Sequence, residues 1–365
     1  MRVAVRVRPV SGAERAARQK RALTVVGGRL VAVNPKALGN SGVETVALEA
    51  ARLGSKHLAT TFQFDDVLWG VGDGVGGVDG AEERCIDQTQ LHQALGLELV
   101  ESALSGVSCS CFAYGHTGTG KTYSLFGDLT HAGTRSQGIT PQSGLIQRVF
   151  HDVIRLSHPS THVFLSFLEI YNEEIHDLLG ESAAPLRPRE HSTFGPYVEG
   201  LTKVEAGSVE EVLSLVARGQ RARATAQTAW NSASSRSHAV VTLELTPSHI
   251  DPSLLFLVRL QMVDLAGSER EPEEWGLEVR GEEREKNELK QIRRSLATLG
   301  FIIKALASGA VMRSLPYRDS TLTLLLRDAL SGRNHTTMLA TASPVVGCYE
   351  ETMATLKYAE RLHAV

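Results

Sequence analysis

Several marks of large protein classes are missing from this chain, and each absence narrows what its 365 residues can be. There is no long apolar run. The most hydrophobic window, Leu296 to Ala307, is too short for a membrane span and contains Lys304. The first ten residues, "MRVAVRVRPV", set arginines between valines instead of ahead of an apolar core, which is not the pattern of a secretion signal. Cysteine is scarce: Cys85, Cys109, Cys111 and Cys348 include no CxxC pair and no histidine at metal-ligand spacing. Reduced, structural thiols in the cytosol fit that usage. No charge of one sign dominates either. A net charge of -3, with 22% charged and 42% hydrophobic residues, is that of an ordinary globular protein with no general affinity for nucleic acid. Tandem repeats and an internal linker are also absent.

What is present is a succession of helix and strand patterns. Arg2 to Arg8 alternates Val or Ala with Arg and stops at Pro9, as a strand entering a turn does. Residues 26 to 60 are Gly-rich and weakly patterned, and "GVGDGVGGVDGAE" (70 to 82) reads as a loop. Apolar residues at helical spacing predict a helix from Gln88 to Leu104, and "VSCSCFAYG" after it predicts a buried strand. "HVFLSFLEIYNEEIHDLL" (162 to 179) begins as a strand and turns near Asn172, and "SVEEVLSLVARGQRARA" (208 to 224) is a serine-capped helix. Two adjacent strands, "AVVTLELT" and "LLFLVRLQMVDLAG", precede a charged segment from 269 to 290. Helices are expected near 291 to 307 and 319 to 331, then a strand "TTMLATASP" and a last helix from about Glu350 to Leu362. The length exceeds that of a usual single core, yet nothing divides it, so the expectation is one three-layer α/β domain with a central mixed sheet and surface insertions.

"GHTGTGKT", from Gly115 to Thr122, matches GxxxxGK[ST] at every fixed position and sits between an expected strand and a helix. The spacing follows from chemistry. Gly115, Gly118 and Gly120, with His116, Thr117 and Thr119 between them, let backbone N–H groups wrap phosphate oxygens. Lys121 reaches the β and γ oxygens, and the Thr122 hydroxyl ligates Mg²⁺. Alone, such a loop leaves kinases, transporters, GTPases and motors all open.

Two later segments narrow the choice. In "NSASSRSH" (231 to 238), clustered hydroxyls and N–H groups are suited to a γ-phosphate and its metal. In "VDLAGSE" (263 to 269), an apolar strand ends in Asp264, placed to hold a metal-bound water, and Gly267 can bring its backbone close to the γ-phosphate. A contact present with ATP and absent after hydrolysis converts a chemical step into a movement.

Together these segments resemble the kinesin motor domain, and the resemblance runs from Arg2 to the last residue. It implies the P-loop NTPase-type kinesin fold, ATP and Mg²⁺ as ligands, microtubule-stimulated ATPase activity and a place on the microtubule cytoskeleton in the cytoplasm. "RVRP" (6 to 9) resembles the adenine-contacting element, implying Arg6 and Pro9 beside the base, and Tyr123 matches the position that stacks on adenine. "NSASSRSH" resembles switch I, which gives Asn231, Ser234 and Ser235 γ-phosphate and Mg²⁺-water roles. "DLAGSE" resembles switch II, with Asp264 near the metal shell and Gly267 sensing the γ-phosphate, and Arg236 with Glu269 matches the salt bridge that closes the two switches. No side chain stands out as a general base, so a water held by the closed switches is the implied nucleophile.

"QIRRSLATLGFIIKAL" resembles the relay helix that sits on tubulin, and "LPYRDSTLTLLLRDALSG" the microtubule-binding loop and its helix. On that likeness Arg293, Arg294, Arg313, Arg318 and Arg327 are the expected contacts with tubulin's acidic surface. "LRPREHSTFGPYVEGL" and "SSRSHAV" are most similar to the kinesin-3 group. Departures from that group are the missing lysine-rich insert before "PYRDS", Arg293 where Asn is usual, and the acidic stretch "EPEEWGLEVRGEERE". They keep a second function in view: a microtubule-binding scaffold or regulator with weak or uncoupled ATPase. A soluble P-loop ATPase or kinase without a filament partner is the third. The chain stops at "YAERLHAV", where the resemblance implies that a neck linker begins, so lever action and any dimerisation are expected from sequence beyond it.

Overall fold

In a computed structural model of the chain, the described residues are 1–39, 41–69, 86–128, 138–192, 195–229, 236–247, 257–269, 283–311 and 314–364. Nine strands form one mixed sheet. Across it the order is Val204–Glu205, Thr161–Tyr171, His238–Pro247, Val258–Asp264, Cys109–Tyr114, His335–Ala342, Arg2–Val7 and Asp66–Trp69. Glu174–Asp177 hairpins back onto Thr161–Tyr171. The strands from Val258–Asp264 to Asp66–Trp69 run parallel, and the remaining pairs antiparallel. Cys109–Tyr114, central and parallel to both neighbours, is buried at every position, which is why its sequence is apolar apart from Ser110.

Alternation along the strands sends neighbouring side chains to opposite faces, and helices cover both. Cys109, Cys111 and Ala113 face a core shared with the helices Leu97–Leu104, Leu145–Leu156 and Val209–Ala229. Phe112 and Tyr114 face the other core, closed by Glu283–Ala307, Thr321–Leu325 and Tyr349–His363. The three-layer α/β architecture expected from the sequence is therefore present.

Local differences have local causes. The helix expected at 88 to 104 runs through a π turn at His92–Gly96. Gly96 lies so close to the His92 ring that a Cβ there would fall 2.0 Å from Nδ1, and the ring reaches Asp152 at 2.8 Å. The helix expected at 291 begins at Glu283, so the charged stretch ahead of it is helical from that residue on. The span 319 to 331 splits into Thr321–Leu325 and Arg327–Leu330 after a 3₁₀ turn at Tyr317–Asp319. Residues 26 to 60, weakly patterned in sequence, hold a second sheet of Leu23–Val26, Arg29–Val33 and Ala59–Phe62 with the helix Val43–Leu53 on it. Its first turn is Gly27–Gly28, with φ of 56° and 75°, a two-residue hairpin that other residues resist. The loop expected at 70 to 82 lies outside the described residues.

The turn at Asn172 and Glu173 also has positive φ, and it points Glu173 at another element. Glu173 accepts the Thr321 N–H at 2.6 Å and the Ser320 hydroxyl at 3.0 Å, while its carbonyl accepts the Thr321 hydroxyl at 2.8 Å. The helix Thr321–Leu325 is thus held at its start by the sheet edge.

Candidate active site

The strand Cys109–Tyr114 delivers the chain into the glycine loop, and the helix Lys121–Phe126 receives it. The three loop glycines are needed for two different reasons. A Cβ on Gly115 would lie 2.3 Å from the Thr341 carbonyl oxygen, so only glycine lets the loop start against the neighbouring strand. Gly118 and Gly120 have open space where a Cβ would lie, and what calls for glycine there is the backbone, with φ of 81° and 98°. No neighbouring atom therefore crowds those two positions.

Lys121 is 7% exposed, and its ammonium donates to the carbonyls of Gly115 at 2.8 Å and His116 at 3.1 Å. Burial pulls Lys121 below the usual lysine range, while Asp264 and Glu269 act in the opposite direction. Thr119 donates to the His116 carbonyl at 2.7 Å and bonds to Thr341, fixing the loop from inside. His116 is itself buried; burial lowers its pKa, and Nδ1 bonds to the Thr117 carbonyl at 2.9 Å.

Thr122 donates to Asp264 Oδ2 at 2.8 Å, which joins the phosphate loop to the end of the strand Val258–Asp264. Two residues not singled out in the sequence complete the join. Arg223, from the helix Val209–Ala229, donates to Asp264 Oδ2 at 3.0 Å, to Glu169 Oε1 at 3.2 Å and to the Ser237 carbonyl at 3.2 Å. Ser237 in turn donates to Glu169. Asp264 Oδ1 is buried with no hydrogen-bond partner among the described residues, an acceptor left for water or metal.

The segment after Asp264 is stitched to the phosphate loop. Leu265 N–H donates to the Ala113 carbonyl at 3.3 Å and Ser268 N–H to that of Gly115 at 3.2 Å. Glu269 accepts the Thr117 N–H at 2.8 Å and the Thr117 hydroxyl. Burial would raise the Glu269 pKa, but the Thr117 bonds outweigh it and leave the carboxyl below its usual range. Both Glu269 oxygens thus engage Thr117, and the structure places half-buried Arg236 at the start of the next strand region. A Cβ on Gly267 would fall 2.4 Å from the Glu269 carboxylate and 2.5 Å from the Thr117 hydroxyl, so a side chain there would displace the Glu269–Thr117 contact.

His238 carries the connection outward. Its Nδ1 accepts the Ala266 N–H at 2.9 Å, so the proton resides on Nε2, which bonds to Ser295 Oγ at 2.9 Å on the helix Glu283–Ala307. Burial, reinforced by Arg223 and Lys121, pushes the His238 pKa down to about 3 and keeps the ring neutral. Asn231, Ser234 and Ser235 lie outside the described residues.

At the base end, Arg6 is buried beneath Tyr123. It donates to Ser124 Oγ at 2.8 Å, Gln88 Oε1 at 3.1 Å and the Ile86 carbonyl at 3.1 Å, and its guanidinium lies 5.5 Å from the Tyr123 ring centre. Tyr123 is 42% exposed with its hydroxyl on Gln142 at 3.1 Å, and Pro9 is exposed. Arg6 therefore braces the ring from below, and the ring's outer face is open for stacking.

A family match covers this whole arrangement: the kinesin motor domain family matches residues 6–365. The chain belongs to the kinesin motor-domain family. Human kinesin-like protein KIF13B is 34% identical over 99% of the chain, and human kinesin-like protein KIF14 is 37% identical over 79% of it. Mouse kinesin-like protein KIF28 is 34% identical over 100% of the chain. The chain spans only 19%, 18% and 34% of those three relatives, respectively. KIF13B and KIF14 are kinesin-3 or kinesin-3-like members, in line with the subgroup expected from sequence. Among solved structures, a fast kinesin covers 100% of the chain and 91% of its own at TM-score 0.78 and 28% identity. A KIF14 dimer in complex with a microtubule covers 100% and 94% at TM-score 0.76 and 32% identity.

In this kinesin-family chain the expected filament-facing arginines do not share one environment. Arg294 is exposed on the helix Glu283–Ala307. Arg318 and Arg327 both donate to Glu190, in the hairpin strand Arg187–His191. Arg313, and the side chain of Arg293, lie outside the described residues.

Proposed function

We propose that this chain is the ATP-hydrolysing part of a kinesin-3-like microtubule motor, acting on the microtubule cytoskeleton of the cytoplasm. One observation supports it above the others: the segment after Asp264 is bonded at one end to the phosphate loop and, through His238, at the other to Ser295 of the helix Glu283–Ala307.

The N–H groups of the loop from Gly115 to Gly120, with Lys121, orient the triphosphate, and Tyr123 covers the base. The residues fit a magnesium ion: Thr122 supplies a hydroxyl ligand and Asp264, with its unpaired Oδ1, an acceptor for a metal-bound water. When bound, magnesium neutralises charge on the β and γ oxygens. On the family resemblance, Asn231, Ser234 and Ser235 would contact the γ-phosphate and, Ser235 among them, a magnesium-bound water, with Gly267 on the γ-phosphate; the attacking water's oxygen bonds to phosphorus as the bond to the bridging oxygen breaks, releasing ADP and phosphate. Arg236 takes Glu269 from Thr117 when the switches close, and after phosphate leaves, Glu269 returns to Thr117. His238 passes that displacement to Ser295, so the helix that carries Arg293 and Arg294 tilts with nucleotide state.

The test is the ATPase rate with and without microtubules at two salt concentrations. A several-fold rise, smaller at high salt, is expected, with no turnover in Lys121→Ala. Microtubule binding without any rise in rate would overturn the coupled-motor assignment.

A further inference from the structure

At the opposite end of these strands from the phosphate loop, the sheet face beneath the helices Thr321–Leu325 and Arg327–Leu330 is not filled by side chains. A cavity of about 320 Å³ lies there, within the size range of small-molecule pockets. Its floor is a row of polar side chains in register across four strands: Ser166 faces Thr242, Thr242 faces Gln261, and Gln261 faces Ser110. The strand "SCSC" explains how one segment serves two environments. Cys109 and Cys111 enter the apolar core on one face, and Ser108 and Ser110 line the cavity on the other.

Leu168 and Val240 bound the row on its core side, and Tyr197, Val198, Leu201 and Leu325 lie around the rest of the cavity. The acidic wall groups are already met by bases. Glu244 is held by Lys203 at 2.6 Å and Arg259 at 3.1 Å, and Asp328 stands 3.6 Å from Arg327. With Lys203, Arg259 and Glu244 engaged with one another, what the cavity presents beside the polar row is apolar side chains on one part of its wall and this ion-paired group on another. Within it Ser110 is 1% exposed, and its hydroxyl has no hydrogen-bond partner among the described residues. A buried hydroxyl without a protein partner is unfavourable, so its place beside the cavity marks where a guest's polar atom would be satisfied.

We infer that this cavity is a second binding site, for an uncharged, compact small molecule with an amide or hydroxyl edge and an apolar face. The edge bonds to Ser110, Gln261 and Thr242, and the face lies against Leu168 and Val240. Its occupancy is measured without ATP or microtubules, so it stands or falls apart from the motor assignment.

Nicotinamide, a flat uncharged amide, and nicotinate, its charged counterpart, test it by NMR titration of the backbone amides without nucleotide. Nicotinamide should give saturable shifts at Ser110, Thr242 and Gln261, at least fivefold tighter than nicotinate. Ser110→Ala should weaken binding several-fold with melting temperature and basal ATPase essentially unchanged, because the hydroxyl it removes has no partner to lose. Thr242→Leu, which fills the space, should abolish it. Three results would each overturn the inference: no saturable shifts at these residues with nicotinamide, undiminished binding in Ser110→Ala, or crystals soaked with nicotinamide showing water alone in the cavity.

Discussion

Two charge clusters in this molecule are centred on opposite signs. Around Arg223, one guanidinium serves two carboxylates, Glu169 and Asp264, and no member exceeds 3% side-chain exposure. Around Glu190, one carboxylate serves two guanidiniums, Arg318 and Arg327, and Arg318 is 80% exposed. Removing a member of the first strands a charge where water cannot reach it; removing a member of the second leaves water in its place. The buried cluster fixes the geometry of the nucleotide end. In the second cluster Arg318 is exchangeable, because an acidic partner surface can take it from Glu190 at little desolvation cost.

The sharpest challenge to that contrast is Arg223→Leu, which leaves two carboxylates uncompensated. It should cost about 3–5 kcal/mol in urea denaturation, and a loss below about 1 kcal/mol would erase the distinction between the clusters. Acidification probes the same buried region more gently. His238, next to Arg223, is neutral when folded, with its pKa pushed down to about 3, whereas the unfolded chain protonates it near 6.5. Below the unfolded value the unfolded state binds more protons, so stability falls as pH drops from about 6.5 toward 3. Between pH 7 and pH 5 this one group removes about 2 kcal/mol. His238→Gln should flatten that part of the profile, and an unchanged slope would place the proton uptake elsewhere. The exposed cluster should respond least: Glu190→Gln should shift stability by no more than about 0.5 kcal/mol. Yet it frees Arg318 and loosens Arg327, which keeps Asp328, so microtubule affinity in co-sedimentation should rise about twofold at low salt and lose that gain at high salt. Equal affinities at low salt would show that these arginines do not face the filament.

The difference in legibility follows the same division. The phosphate loop and "DLAGSE" announce themselves because backbone approach to phosphate demands glycines at fixed spacing. Gly115 and Gly267 do sit where a Cβ would collide, and Gly118 and Gly120 where the chain turns left-handed. Arg223 offers no such constraint. Its only signal is that the inward stripe Val212, Val216 continues along the helix as Gln220 and Arg223, all four buried, turning from apolar to polar as it nears the site. Glu169 is marked in a similar way, since it follows Leu165 and Phe167 at a spacing of two and must face the same interior. Local pattern shows that such residues are buried but not what they meet, because their partners come from other elements. The second sheet escapes a reading of the sequence for a different reason: the Gly27–Gly28 hairpin is visible as a glycine pair, but strands of four and five residues carry little periodicity on either side of it.

The Glu173 turn has a mechanical consequence. Glu173 ties the helix Thr321–Leu325 to the sheet edge by three hydrogen bonds, whereas the helix Glu283–Ala307 is reached from the nucleotide end by the imidazole of His238. The two elements that resemble the family's microtubule-binding parts are therefore suspended differently, one as a fixed foot and one on a pivot. On a filament, the first would set where the head stands and the second would decide how firmly.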